Sequence, residues 1–241
     1  MRSILFSFLC LASLDSLHAQ EKLIIKDANA QERNVSGYNR IEVGGAIDLY
    51  LSPGERETVV VSAADPSVRD RILTRVTNGK LEIRYDTKTK GISWTSNVKL
   101  KAYVSFRTLT GIQASGASDV FVNGIIRADR LDIGISGASD FKGAVMVKEL
   151  VLSQSGASDA EISGEAVKFR ADISGACNLK AYGLTAETAE ISASGASNAR
   201  VNVTRQLDAK ASGASDLYYK GAPANTNFDS KGASSVRKVE R

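Results

Sequence analysis

Six side chains recur at near-constant spacing through the second half of this chain: Asp119, Asp140, Asp159, Asn178, Asn198 and Asp216. Oxygen donors in a regular row are the residue types that ligate a divalent cation or bind the hydroxyls of a glycan. If the segments that carry them stack in register, neighbouring side chains stand about 5 Å apart on one surface. Carboxylates that close repel one another unless a cation, a basic neighbour or a backbone donor offsets the charge. Two readings therefore stand side by side. In one, the row is a line of ligands. In the other, each Asp or Asn accepts a hydrogen bond from its own turn, and Lys142, Lys180 and Arg200, two residues further on, relieve the charge. A calcium ion needs about six to eight oxygens around one point, more than a flat row offers, so no metal centre and no cofactor is expected. Phe121 and Tyr218 share the outward parity of the row and could stack on sugar rings. Trp94 lies in an irregular stretch, 86–97, where an exposed loop carries function or the ring plugs an open end.

The elements that would position this row are visible in a repeated phrase. It reads SGASD at 115–119, 136–140 and 155–159, then SGACN at 174–178, SGASN at 194–198, SGASD at 212–216 and KGASS at 231–235. The glycines are Gly116, Gly137, Gly156, Gly175, Gly195, Gly213 and Gly232, at steps of 21, 19, 19, 20, 18 and 19 residues. So regular a period marks stacked units, none able to bury its own apolar face alone. Four residues before each glycine stand Ile112, Ile133, Leu152, Ala171, Ile191, Ala209 and Phe228; four after it stand Val120, Phe141, Ala160, Leu179, Ala199, Leu217 and Val236. Polar residues alternate with them, so each unit reads as two short strands joined at the glycine. Gly124, Gly164, Gly183 and Gly221 mark a second corner. A hairpin meander competes, but like residues at one-coil spacing favour parallel stacking into an all-β solenoid, a β-helix with coils of about 19 residues. Two after each glycine, Ser118, Ser139, Ser158, Cys177, Ser197, Ser215 and Ser234 are in phase with the apolar positions and are expected to point inward. A thiol behaves as a small buried hydrophobe, so Cys177 fits there.

At the start, Arg2, the apolar run 4–14 and Ala19 read as a secretory signal peptide spanning 1–19, followed by an N-terminal extension, 20–37. Cleavage there removes His18, the one histidine among 241 residues, and Cys10, one of two cysteines. What remains excludes histidine-based triads, histidine-containing zinc sites and an internal disulfide. The formal charge of +4 is unchanged by the cut and is spread without a long basic run, which argues against nucleic acid. No later apolar stretch reaches the ~18 residues of a membrane helix.

The front half, 38–108, is expected to be all-β with longer, degenerate coils continuous with the seven repeats of 109–239. Ile41, Val43, Gly45, Ile47, Leu49 and Leu51 fit the repeat template, with Asp48 three past the glycine. Asp65 and Pro66 signal a helix start of about two turns. Residues 57–63, 81–85 and 98–104 read as strands.

The recurrent SGAS[DN] phrase, the preceding strand at 41–51 and the signal peptide together resemble the GIN-domain family of autotransporter adhesin head domains from Gram-negative bacteria of the Bacteroides group. The resemblance covers about 38–239. It implies a right-handed β-helix akin to pectin lyases without their catalytic residues, and an adhesive role. In one respect the chain departs from that family: no C-terminal membrane barrel or coiled-coil stalk is expected in it. A polysaccharide lyase or hydrolase would need paired carboxylates in a cleft, whereas every coil here repeats one short phrase. The expectation is an exported, non-catalytic solenoid of the periplasm or cell surface that binds glycan or protein. The alternative is a self-assembling envelope protein joined through the edge of its last coil.

Overall fold

The computed structural model describes residues 27–87 and 99–240. In chain order its elements are β1 (Gln31–Arg33), β2 (Arg40–Gly44), β3 (Ile47–Pro53), β4 (Thr58–Ala63), the helix α1 (Pro66–Arg69), β5 (Ile72–Thr77), β6 (Lys80–Tyr85), β7 (Leu100–Phe106) and β8 (Gly111–Ser115). They continue with β9 (Val120–Ile135), β10 (Phe141–Gln154), β11 (Asp159–Ile173), β12 (Asn178–Ala193), β13 (Asn198–Gly213), β14 (Asp216–Lys220), β15 (Asn225–Gly232) and β16 (Ser235–Lys238).

From β9 onward each coil pairs in parallel with the next, which decides for the solenoid over the meander. Val120, Phe141, Ala160, Leu179, Ala199, Leu217 and Val236 occupy one line of the ladder, and all but Val236 are fully buried. The line from Ile112 to Ala209 is buried likewise. Phe228 departs from expectation. It is in register with Ala209 but 40% exposed, because no further coil covers it among the described residues.

The corner explains the repeated phrase. Gly137, Gly156, Gly175 and Gly195 have φ of 80°, 86°, 95° and 80°, a region that L side chains avoid. The alanine after each glycine donates its N–H to the glycine carbonyl of the preceding coil, as in Ala157 to Gly137 and Ala176 to Gly156, both 2.8 Å. The inward Ser then finishes the turn. Ser197 Oγ donates to the Ser194 carbonyl at 2.8 Å and Ser215 Oγ to the Ser212 carbonyl at 2.8 Å, and the Cys177 thiol does the same to Ser174 at 3.2 Å. Without that hydroxyl or thiol, a carbonyl turned toward the core would lack this partner. Gln154 is a polar exception on the inward side. It is buried, and its Nε2 donates to the Ser158 carbonyl at 2.6 Å.

Two strands per coil were expected, yet β9 to β13 each run unbroken for 14 to 16 residues. They bend at the second corner, where Gly124 and Gly164 have φ of 103° and 106°. The ladder passes through with small register shifts near Lys142, Glu161 and Ala181, because adjacent coils bend together and keep their hydrogen-bond partners.

The front half is continuous with the rod, but its coils are not stacked in chain order. The β2–β3 coil pairs with β8–β9 on one side and with β6–β7 on the other. β6–β7 thus comes later in sequence and sits further out. Antiparallel strands follow at this end: β4 on β7, β5 on β6 and β1 on β4. The expected two-turn helix is a single turn, started by Pro66 and capped by Asp65 Oδ1, which accepts from the Ser67 N–H at 2.7 Å.

Cys177 tests the inward parity directly. It is 0% exposed and hydrogen-bonded, so a bulky disulfide reagent is expected to leave it unmodified in the folded protein and to label it on unfolding. Prompt labelling without denaturant would show that the inner and outer rows are exchanged.

Candidate functional face

Outward residues on the strand that follows each SGAS corner form rows along the rod. The first row is Asp48, Asp119, Asp140, Asp159, Asn178, Asn198 and Asp216, aligned by the pairings of their neighbours. The hydrogen bonds run between coils rather than within a turn. Asp119 Oδ1 accepts the N–H of Asp140 at 3.2 Å, and Asp140 Oδ1 accepts that of Asp159 at 2.9 Å. Further along, the Asn178 amide donates to Asp159 at 2.8 Å and the Asn198 amide to Asn178 at 3.2 Å. Ser235 Oγ donates to Asp216. An Asx side chain reaches the next rung because the spacing of strands in a sheet is comparable to its own length.

Charge along the row is offset unevenly. Lys180 Nζ lies 2.9 Å from Asp159 Oδ2. Burial works to raise the Asp159 pKa, but the hydrogen bonds from Lys180 and Asn178 outweigh it and hold the carboxyl below its usual value. Asp48 goes the other way: burial first and then the charge of Asp119 raise its pKa, against Lys99 and Lys101. Lys142 turns aside to Glu161 at 2.9 Å. Among the described residues, no group of three or more Asp, Glu, His or Cys side chains is placed to hold a metal ion.

The second row, two residues further on, reads Tyr103, Tyr50, Phe121, Lys142, Glu161, Lys180, Arg200, Tyr218 and Arg237. At one end three rings stack, Tyr50 with Tyr103 at 5.0 Å and Tyr50 with Phe121 at 5.3 Å between centroids. The Tyr103 hydroxyl donates to Asp27 Oδ2 at 2.8 Å. Burial and that hydrogen bond push its pKa up to about 12. At the other end Arg200 lies 5.8 Å over the Tyr218 ring, and beyond the second row Lys220 lies 5.4 Å over the ring of Tyr182, which falls in the register shift between Ala181 and Thr185.

The family model described as "Putative auto-transporter adhesin, head GIN domain" matches residues 37–223, which is most of the chain and nearly all of this face. The chain belongs to the GIN-domain family. Solved structures share the fold. A protein described as a putative adhesin from Bacteroides fragilis superposes with a TM-score of 0.78 at 22% identity, covering 87% of this chain and 96% of its own. One from Parabacteroides distasonis, described in the same terms, gives 0.67 at 22% identity over 87% and 96%. A third, also from Parabacteroides distasonis and described as a putative lipid binding protein, gives 0.65 at 20% over 88% and 96%. No curated protein matches the chain significantly.

In this GIN domain the Asx row, Phe121 and Tyr218 come together on one face. Trp94 lies outside the described residues. Tyr50, Tyr103, Tyr182 and Lys220 are on the face as well, and the sequence did not single them out. The alternation at 47–51 and 98–104 marked Tyr50 and Tyr103 as outward, but nothing in a linear reading places them beside Phe121.

Proposed function

We propose that this chain is an exported, non-catalytic binding module of the cell envelope, adhesin-like in action, whose contact surface is the face of aligned outward rows. The observation that carries the reading is the register itself. Because like rungs superpose, the face presents rings, amides and carboxylates as continuous lines on a stiff backbone, which suits many weak contacts with an extended glycan or a protein surface. Membership of a family described as adhesin heads supports the same reading.

Within this proposal the Asx row both fastens the rungs and offers its free atoms. Asp119 and Asp140 use Oδ1 between coils, which leaves Oδ2 of each for ligand hydroxyls. Phe121 and Tyr218 supply apolar contact at the two ends, and Trp94 is retained as a candidate beside them. Export rests on the expected signal peptide, and no helix among the described residues is long and apolar enough to cross a membrane. A binding screen of the purified protein on a glycan array and on immobilised envelope and matrix proteins tests the reading. Saturable binding that Asp119→Asn, Asp140→Asn and Phe121→Ala together weaken, with the protein still folded at the assay temperature, is the expected result. Binding to neither class, or turnover of any polysaccharide offered, would defeat it.

A further inference from the structure

Ion pairing is unevenly distributed along the rod. From β9 to β13 cations find carboxylates across one rung: Arg130 with Glu149 at 2.8 Å, Lys148 with Asp129 at 2.7 Å, Lys142 with Glu161 at 2.9 Å and Arg205 with Glu187 at 2.8 Å; on β15, off the face, Lys231 lies 3.4 Å from Asp229. On the second row of the face and beyond it the pattern stops after Lys180, which pairs with Asp159. Arg200 and Lys220 lie instead over Tyr218 and Tyr182, and neither they nor Arg237 form an ion pair among the described residues. Tyr218 is in register with Arg200 on one side and Arg237 on the other, so a half-exposed ring sits between two guanidinium rungs.

The Asx row changes at the same place. It carries Asp at 119, 140 and 159 but Asn at 178 and 198, where the amides continue the ladder without charge. The carboxylate left at this end, Asp216, accepts from Ser235. Asp48, Asp119 and Asp140 lie toward the other end. The face is therefore polarised, acidic beside the stacked rings and basic over the last coils.

We propose that this basic end, Arg200, Tyr218, Lys220, Arg237 and Tyr182, binds an anionic polysaccharide, the charged sugars pairing with the cations. The proposal rests on the binding-module reading above and adds to it a charged subsite at the end of the face away from Asp119, Asp140 and Phe121. Guanidinium groups meet carboxylates or sulfates through paired N–H donors, and a cation already held over a ring is fixed in place before the ligand arrives. The geometry suits sugars better than nucleic acid. Single strands are bound by stacking bases on free ring faces along an extended basic groove, whereas here a cation already lies over each of Tyr218 and Tyr182, and the patch spans only a few rungs, about 15 Å.

The test measures binding of the purified protein to polygalacturonate, with neutral dextran and an oligothymidine as comparison probes. Salt-sensitive binding to polygalacturonate is expected, reduced about tenfold or more in the Arg200→Gln, Lys220→Gln, Arg237→Gln variant and weakened by Tyr218→Ala. A variant with the same charge change away from the face, Arg130→Gln, Lys148→Gln and Arg170→Gln, the last paired with Glu190, is expected to keep it. Equal loss in both triple variants would reduce the effect to net charge, and oligothymidine bound as tightly as polygalacturonate would remove the glycan assignment. Either result overturns the proposal, as does no binding to polygalacturonate. Should the array show neutral glycans or proteins bound while polygalacturonate is not, this inference fails and the binding module stands.

Discussion

Gly156→Ala is expected to destabilise the protein by about 3 to 5 kcal/mol, and Gly37→Ala by only about 1 to 2, although both glycines have positive φ. The angles are nearly equal, 86° at Gly156 and 80° at Gly37, so the cost of forcing an L side chain into the left-handed region is common to both. Space differs. A Cβ on Gly37 would meet nothing within 4 Å, whereas on Gly156 it would stand 2.4 Å from the Gly137 carbonyl oxygen and 2.9 Å from its nitrogen. Those are backbone atoms in the line of corner hydrogen bonds, and they cannot move aside without opening the 2.8 Å bond from Ala157 to Gly137. The same contact recurs at Gly137, Gly175 and Gly195, with 2.5, 2.4 and 2.6 Å to the preceding glycine oxygen. Urea unfolding of the two variants against the parent checks this. Equal losses would mean that the column is held by the φ requirement alone and that the coils are not as close as described.

The second large effect belongs to the inward serines. Ser158 is 1% exposed and donates to the Ser155 carbonyl at 3.2 Å, with the Cys177 sulfur 3.4 Å from its oxygen. Ser158→Leu adds volume to a filled interior and removes the donor. Overpacking costs about 1 to 3 kcal/mol and the part-buried Ser155 carbonyl left without its partner about 1 more, so a total of about 2 to 4 kcal/mol is expected. Ser158→Ala isolates the second loss, at roughly 1 kcal/mol. Ser158→Cys should be close to neutral, since Cys177 occupies the equivalent position one coil on and makes the equivalent bond. Ser153→Leu, on the outward side, is expected to stay within about 0.5 kcal/mol. An unchanged melting temperature for Ser158→Leu would reverse the parity on which every row of the face depends.

Both predictions concern rungs whose neighbours lie about 19 residues away and carry the same phrase, and there the sequence was legible. The positions of Val120 through Leu217 inside and of Asp119 through Asp216 outside follow from alternation and a fixed period. Why Ser stands two residues after each glycine was not legible from parity, which asks only for something small. The turned-in carbonyl that the hydroxyl serves becomes visible once the corner has a shape. One of the two readings of the Asx row has each residue accept from its own turn, whereas the hydrogen bonds run to the next coil. That distinction depends on how far one rung is from another, which a linear pattern does not contain.

The front half shows where the period stops helping. Tyr50 and Tyr103 are 53 positions apart in sequence, and they stack because β7 pairs with β3 while β9 takes the opposite edge of β3. No repeated residues announce that β6–β7 would pass outside an earlier coil. Taken alone, then, the sequence determined the coil, its corner, and the division of side chains between the interior and the surface, because those follow from backbone geometry repeated at short range. The order of the front coils, the ring stack and the placing of Arg200 over Tyr218 and Lys220 over Tyr182 were decided by tertiary structure. Each depends on which distant strands become neighbours, and the free energy that selects those neighbours is shared over the whole sheet rather than written at any one position.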